Sequence, residues 1–197
     1  MNKGRVEAFS DGVIAIIITV IVLLIEFPEG SSWDAFMEML PLIGTYALSF
    51  LLIGMRWANH HHLFQSVNGI NGKIMWANLM FLFTLSLFPA SISWMAKTGF
   101  ASLPLALFSL VNLLETASFY VLERTIISSG ENEVLRKALK KGRKEMFSIL
   151  LEGGAVAVSL IAPVHMLAVV LLLVMSALWI VPDLRMSNAY YTEGHKE

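Results

Sequence analysis

Apolar and polar residues fall along this chain in long blocks rather than at the short periods of a soluble domain. The first block is residues 5–28, RVEAFSDGVIAIIITVIVLLIEFP, in which Thr19 is the one polar side chain between Val13 and Ile25. A buried strand seldom exceeds about eight residues, and a soluble helix seldom stays apolar all the way round, so this block predicts a membrane-spanning helix. Begun at residue 12 and ended at 27, the helix reaches only about 24 Å, short of the roughly 30 Å hydrocarbon core; begun near Val6 it reaches about 33 Å. The helix is therefore expected to start before Asp11. That places an ionisable group inside the span, where such groups normally have a partner. The block is not expected to be a cleaved leader, because its core is long and EFPEG offers no small-residue cleavage site.

Five further spans are predicted in the same way. Residues 26–38 read as a loop with Pro28, Gly30 and acidic residues, with a short interfacial turn around Trp33. A second span covers about residues 39–57, entered at Pro41, and a polar connection, WANHHHLFQSVNGINGK, follows at 57–73. The third covers residues 76–95, with Pro89 near its far end, and the fourth about 103–122, with Glu115 inside it. Residues 123–145 are the one clearly hydrophilic stretch. The fifth span, about 146–162, and the sixth, about 166–181, flank a minimal turn holding Pro163 and His165. The expected architecture is an all-α integral membrane protein with six spans: one channel-sized domain over residues 1–185 and a short polar tail over 186–197.

Composition agrees with a bilayer-embedded chain. Hydrophobic residues make up 56% and charged residues only 15%, against about 25% charged in ordinary soluble domains. A net charge of −1 offers no footprint for nucleic acid, and none is expected as a partner. Without cysteine the chain can form neither a disulfide framework nor a thiolate metal site.

Charge placement orients the spans. With the N-terminus inside, Lys3, Arg5, Arg56, Lys73, Arg124, Arg136, Lys137, Lys140, Lys141, Arg143, Lys144, Arg185 and Lys196 are cytosolic, thirteen of the fourteen basic residues. Only Lys97 falls outside, beside Glu26, Glu29, Asp34 and Glu38. This asymmetry predicts a multi-pass cell-membrane protein with both termini cytosolic. No second copy of the FSDG run and no internal half-repeat is found, which weakens a transporter reading.

On a wheel of the first helix, Gly12, Ile16, Thr19, Leu23 and Glu26 lie within about 80° of one another. Such a stripe is either a packing face or, if several copies meet around an axis, the lining of a pore. In the pore reading Ile16 and Leu23 would narrow the path and gate by dewetting, and Glu26 would gather cations at the mouth. Asp11 lies about 100° off the stripe and is expected to face neighbouring helices. His60, His61 and His62 are adjacent rather than spaced i, i+4, so hydrogen bonding to neighbouring helices is expected in place of a metal site. Glu115 and Glu152 are the other carboxylates in or near the spans; with Asp11 they are the groups a secondary transporter or proton pathway would use. No nucleophile with its base, phosphate loop or zincin motif is present, so no enzyme is expected.

The segment RVEAFSD at residues 5–11 fits R-x-x-x-F-S-D at the start of helix one. With WANHHHLF at 57–64, and WANLMFLF followed by SLFP at 76–89, it resembles the endolysosomal potassium channel family catalogued as transmembrane protein 175, in its prokaryotic single-repeat branch. The resemblance implies a potassium-permeable channel without a cofactor, assembled as a homotetramer around helix one. It implies a constriction at Ile16, with further layers at Thr19 or Val20 and at Leu23. It also implies that Arg5, Phe9, Ser10 and Asp11 form a network holding helix one against its neighbours, through Trp76, Asn78 and a histidine of 60–62. No TVGYG segment is present, so a carbonyl-cage filter is not available.

Overall fold

A computed structural model describes residues 2–65, 67, 69–129, 143–161 and 163–180. Among these residues the chain forms seven helices: α1 (Lys3–Val22), α2 (Trp33–Gln65), α3 (Gly72–Ser86), α4 (Phe88–Lys97), α5 (Ser102–Ser128), α6 (Arg143–Ser159) and α7 (Leu167–Ile180). Three stretches are long and apolar enough to cross a bilayer: Trp33–Gln65, Gly72–Lys97 and Ser102–Ser128.

Helix α1 starts earlier and stops earlier than its sequence predicts. The Asn2 side chain accepts from the Gly4 N–H at 3.0 Å and caps the helix. Its 20 residues span about 30 Å. The N–H groups of Leu23, Leu24 and Ile25 donate to Val20, Ile21 and Val22 in a tightened final turn. Leu23 therefore keeps the helical register while Glu26 lies beyond it.

Helix α2 is the largest departure from expectation. The polar connection expected after Trp57 is instead the last two turns of a 33-residue helix, and the turn expected at Trp33 is its first. Pro41 lies inside the helix rather than at its entrance, and the Thr45 hydroxyl donates to the Pro41 carbonyl at 2.9 Å. The helix reaches about 50 Å, well past a hydrocarbon core. Its polar last turns hold because their side chains bond sideways, as described below.

The third expected span is two helices joined at Leu87. Pro89 falls in the first turn of α4, where its missing N–H leaves no intrahelical bond unmade. After α4, Gly99 takes the left-handed conformation at φ 60°, its N–H donating to Ala96 O and that of Phe100 to Met95 O. This paired closure satisfies the last carbonyls of α4 before the chain reverses into α5.

Helix α5 is the packing centre. It lies against α3, α4 and α6, while α7 closes on α6 and α1 packs chiefly on α2 with further contact to α3 and α4. The core includes Phe81, Phe88, Leu105, Leu122 and Ile53, all fully buried. The hydrophilic stretch is less exposed than its composition suggests. Its first residues continue α5, and Glu123 and Glu145 are both buried; residues 130–142 lie outside the described residues, as does the expected tail at 186–197.

Gly99 has open space around it, so only its backbone conformation resists a side chain. Gly99→Ala is expected to cost about 1 kcal/mol, and Gly99→Asn clearly less because Asn visits the left-handed region more readily. Reversible denaturation in mixed micelles measures both.

Candidate functional site

Helix α1 divides lengthwise. Val6, Ser10, Ile14, Ile17 and Ile21 are buried against the rest of the chain. The opposite stripe is uncovered: Ile16 is 63% exposed and Leu23 79%, whereas Ile14 and Ile17 are 0% and 6%. Gly12 and Thr19 are exposed with them, and Val20 is at the margin at 36%. The Thr19 hydroxyl donates back to the Ala15 and Ile16 carbonyls at 3.0 Å, leaving its oxygen as the acceptor on that surface.

Two polar contacts set this rotation. Ser10 Oγ donates to Val6 O at 2.9 Å and accepts from Asn78 Nδ2 of α3 at 2.9 Å. Asn78 Oδ1 in turn meets His60 Nε2 of α2 at 2.8 Å. All three side chains are almost fully buried, and the imidazole is stacked on Phe64 and Phe81 with centroids 4.4 and 5.4 Å away. One residue along α1, Asp11 Oδ1 accepts from Trp57 Nε1 of α2 at 2.8 Å. The carboxylate inside α1 thus has a donor from a neighbouring helix. The clamp joins α1, α2 and α3 at one level.

Several expected site residues stand elsewhere. Trp76 is 70% exposed on α3 and outside this chain of bonds; Trp57, one turn before the histidines, holds Asp11 instead. The substitution follows from the length of α2, which carries Trp57 past Asp11 rather than into a loop. Arg5 and Phe9 are also uncovered, Phe9 by 53%, and with Met75 and Leu79 they wall a groove on the surface. Glu26 is no longer on the α1 stripe. It is held by Lys97 of α4 at 2.5 Å, with both side chains largely in the open. His61 bonds Gln65 at 2.8 Å and stacks on Trp57.

A second polar cluster lies deeper. Arg56, expected as a cytosolic charge at the end of the second span, is 6% exposed, with Nε 2.5 Å from Glu115 Oε2 and Nη2 donating to Asn112 Oδ1 at 3.2 Å. The helical continuation of α2 is what carries Arg56 inside. Glu115 thereby gains the partner that composition alone could not supply. Glu152 of α6 is fully buried and accepts from Thr116 Oγ1 of α5 at 3.0 Å. Next to it, Trp179 Nε1 donates to Ser148 Oγ at 2.8 Å, under the Lys144 ammonium 4.6 Å from the ring centroid.

The comparison with known proteins bears on the same segments. Residues 5–89 match the family model described as endosomal/lysosomal potassium channel TMEM175. Over 190 residues the chain is 41% identical to a potassium channel of Chryseobacterium sp. (strain P1-3), covering 96% of this chain and 98% of that protein. The chain belongs to the TMEM175 family. The membership makes it a membrane protein of a channel family rather than an enzyme, and implies no cofactor.

Further TMEM175 relatives are shorter matches. A potassium channel of Streptomyces collinus is 40% identical over 49% of this chain and 50% of its own length. The endosomal/lysosomal proton channel TMEM175 of Rattus norvegicus is 32% identical over 54% of this chain, which spans only 22% of that protein. The fold is that of the crystal structure of a lysosomal potassium-selective channel TMEM175 homolog from Chamaesiphon minutus: TM-score 0.79, 24% identity, 92% of this chain and 97% of that one.

Asn78 bridges two other buried groups, so Asn78→Ala leaves both Ser10 and His60 short of a partner. The expected loss is about 1–2 kcal/mol of subunit stability. Met80→Ala, at an exposed position two residues along, is expected to stay within about 0.5 kcal/mol. Equal losses in a mixed-micelle denaturation series would contradict the clamp.

Proposed function

We propose that this chain is one subunit of a homotetrameric, potassium-permeable channel of the cell membrane, conducting passively along an axis lined by α1. The observation that carries the reading is the rotation of α1. Ser10 and Asp11 turn one face onto α2 and α3, and the face left uncovered bears Ile16, Thr19 and Leu23. The family places potassium channels among the relatives, one of them 41% identical across nearly the whole chain.

In the proposed assembly Ile16 forms the narrowest apolar ring, with Thr19 or Val20 and then Leu23 as further layers, and conduction requires this stretch to hydrate. Arg5, Phe9 and Trp76, uncovered within one chain, are left to meet the adjacent subunit. Glu26 stands at the outer mouth, but its pairing with Lys97 offsets its charge, so the cation-gathering effect is weak. Residues 1–185 form a single six-span domain in this reading, with α3 and α4 making one crossing between them. Both termini and the tail at 186–197 are cytosolic. Arg56 drops out of the cytosolic charges that support this orientation, and the remaining basic residues still favour it.

A transporter would need unpaired carboxylates in the path. Asp11 and Glu115 are instead bound within the subunit, by Trp57 and Arg56, and Glu152 is fully buried on α6, away from the proposed path along α1. The channel reading is tested by potassium–sodium bi-ionic flux in liposomes. Current is expected to reverse according to the potassium gradient without a coupled ion, and Ile16→Asn is expected to raise conductance severalfold by hydrating the constriction. Flux that requires a proton gradient, or current unchanged in Ile16→Asn, would contradict it.

A further inference from the structure

We propose that Glu152 is a proton-binding site inside each subunit, and that Glu152 and Glu115 share a single buried proton over the one guanidinium of Arg56. The proposal stands apart from the pore reading, because none of the three residues lies on α1.

Charge counting makes the first step. Glu115 of α5 is 3% exposed, Arg56 of α2 is 6% exposed, and Glu152 of α6 is fully buried. Arg56 is committed to Glu115 at 2.5 Å and to Asn112. Thr116, which bonds Glu152, lines one small cavity with Arg56 and Glu115, whereas Lys144 and Glu145 of α6 and Glu123 and Arg124 of α5 stand about two turns further along their helices. Helix α7, packed on α6, contributes no ionisable side chain at all. Two carboxylates and one guanidinium leave a net charge of −1 among apolar helices, which is costly unless a positive charge joins them.

Hydrogen bonding makes the second step and names the atom. Glu152 Oε1 accepts from Thr116 Oγ1 at 3.0 Å, but Oε2 is buried without a donor. An ionised carboxylate in that position would have one bare anionic oxygen out of contact with water. A proton on Oε2 makes the group neutral and leaves Oε1 as the carbonyl oxygen that the Thr116 hydroxyl already addresses. An alkali cation fits less well. The small cavity at this level is lined by Arg56 itself, together with Asn59, Glu115, Thr116, Phe119 and Trp179, and has room for about one water molecule. A cation there would sit against the Arg56 guanidinium, whereas a proton needs no cavity.

Sharing follows from the position of Thr116, which is bonded to Glu152, adjoins Glu115 in α5 and faces the same small cavity as Arg56. If Glu115 is removed as counter-ion, Glu152 is the remaining carboxylate within reach of Arg56, and it releases its proton to take that place. Glu115→Gln therefore converts a protonated Glu152 into an ionised one without adding or removing any other charge.

Infrared spectroscopy of the full-length channel in lipid at neutral pH reads this directly, in the carbonyl-stretch region of protonated carboxylic acids. Wild type is expected to show a band that shifts in heavy water, and Glu152→Gln to lose one protonated carboxyl per subunit from it. Glu115→Gln is expected to lose the same intensity, although Glu152 is still present. Thr116→Val keeps the acid protonated but removes the donor to its carbonyl, so the band is expected to stay and move to higher frequency. A spectrum unchanged by Glu152→Gln would overturn the proposal. So would a full-intensity band in Glu115→Gln, or a band that Thr116→Val leaves in place. The Thr116 variant alone decides the assignment if a Glu152 variant does not assemble.

Discussion

Polar side chains inside a bilayer must find their partners within the protein, and in this chain α2 is where they find them. Across Arg56, Trp57 and His60 the helix addresses three neighbours. Arg56 reaches Glu115 and Asn112 of α5, Trp57 reaches Asp11 of α1, and His60 reaches Asn78 of α3, which holds Ser10 of α1. Without water to compete, each bond is costly to leave unmade. The helix therefore fixes the rotation of α1 and the balance of buried charge through the same short segment.

Two faces of α1 follow from that one constraint. The clamped face consists of alternating turns of Val6, Ser10, Ile14, Ile17 and Ile21; the uncovered one carries Ile16, Thr19 and Leu23. Hydrophobicity alone does not distinguish the faces, since each carries bulky aliphatic side chains with one hydroxyl among them. What separates them is the pair Ser10 and Asp11, whose bonds can be made in only one rotation. A rigid clamp at one end and an apolar stripe beyond it suit a lining whose width, rather than a cage of carbonyls, governs passage. The buried cluster around Arg56 lies on the other side of α2 and supports the scaffold, and its charge state and the clamp share adjacent residues of one helix.

Much of this was legible in the residues. The apolar blocks marked the central part of each helical region described, the wheel of helix one separated Ile16, Thr19 and Leu23 from Asp11 while also keeping Glu26, which lies beyond the helix, and the RxxxFSD segment pointed to the family that the comparisons establish. The misses have a common physical origin. Asn59, His60 and His61 read as a connection because polar residues in sequence look solvated, yet α2 runs through them, with Asn59 and His61 bonded within the helix and His60 to Asn78 of α3. The same misreading counted Arg56 among the cytosolic charges, left Glu115 without its ionic partner, and named Trp76 in the network rather than Trp57. Proline misled in opposite ways: Pro41 is tolerated inside α2, whereas Pro89 sits just past a break at Leu87 that no residue before it signals. The glutamates 123 and 145 looked hydrophilic because sequence shows charge and not the helix packed against it.

The central claim is that the clamp points Ile16, rather than Ile17, at the axis of the assembly. The chain contains no cysteine, so single cysteines can be introduced by Ile14→Cys, Ile16→Cys, Ile17→Cys, Thr19→Cys and Leu23→Cys and treated with charged thiol reagents during potassium flux. Block at 16, 19 and 23, with 14 and 17 unaffected, is the result this account expects. Block at 14 and 17, with 16 and 23 silent, would mean that α1 is turned the other way and that its uncovered stripe faces lipid.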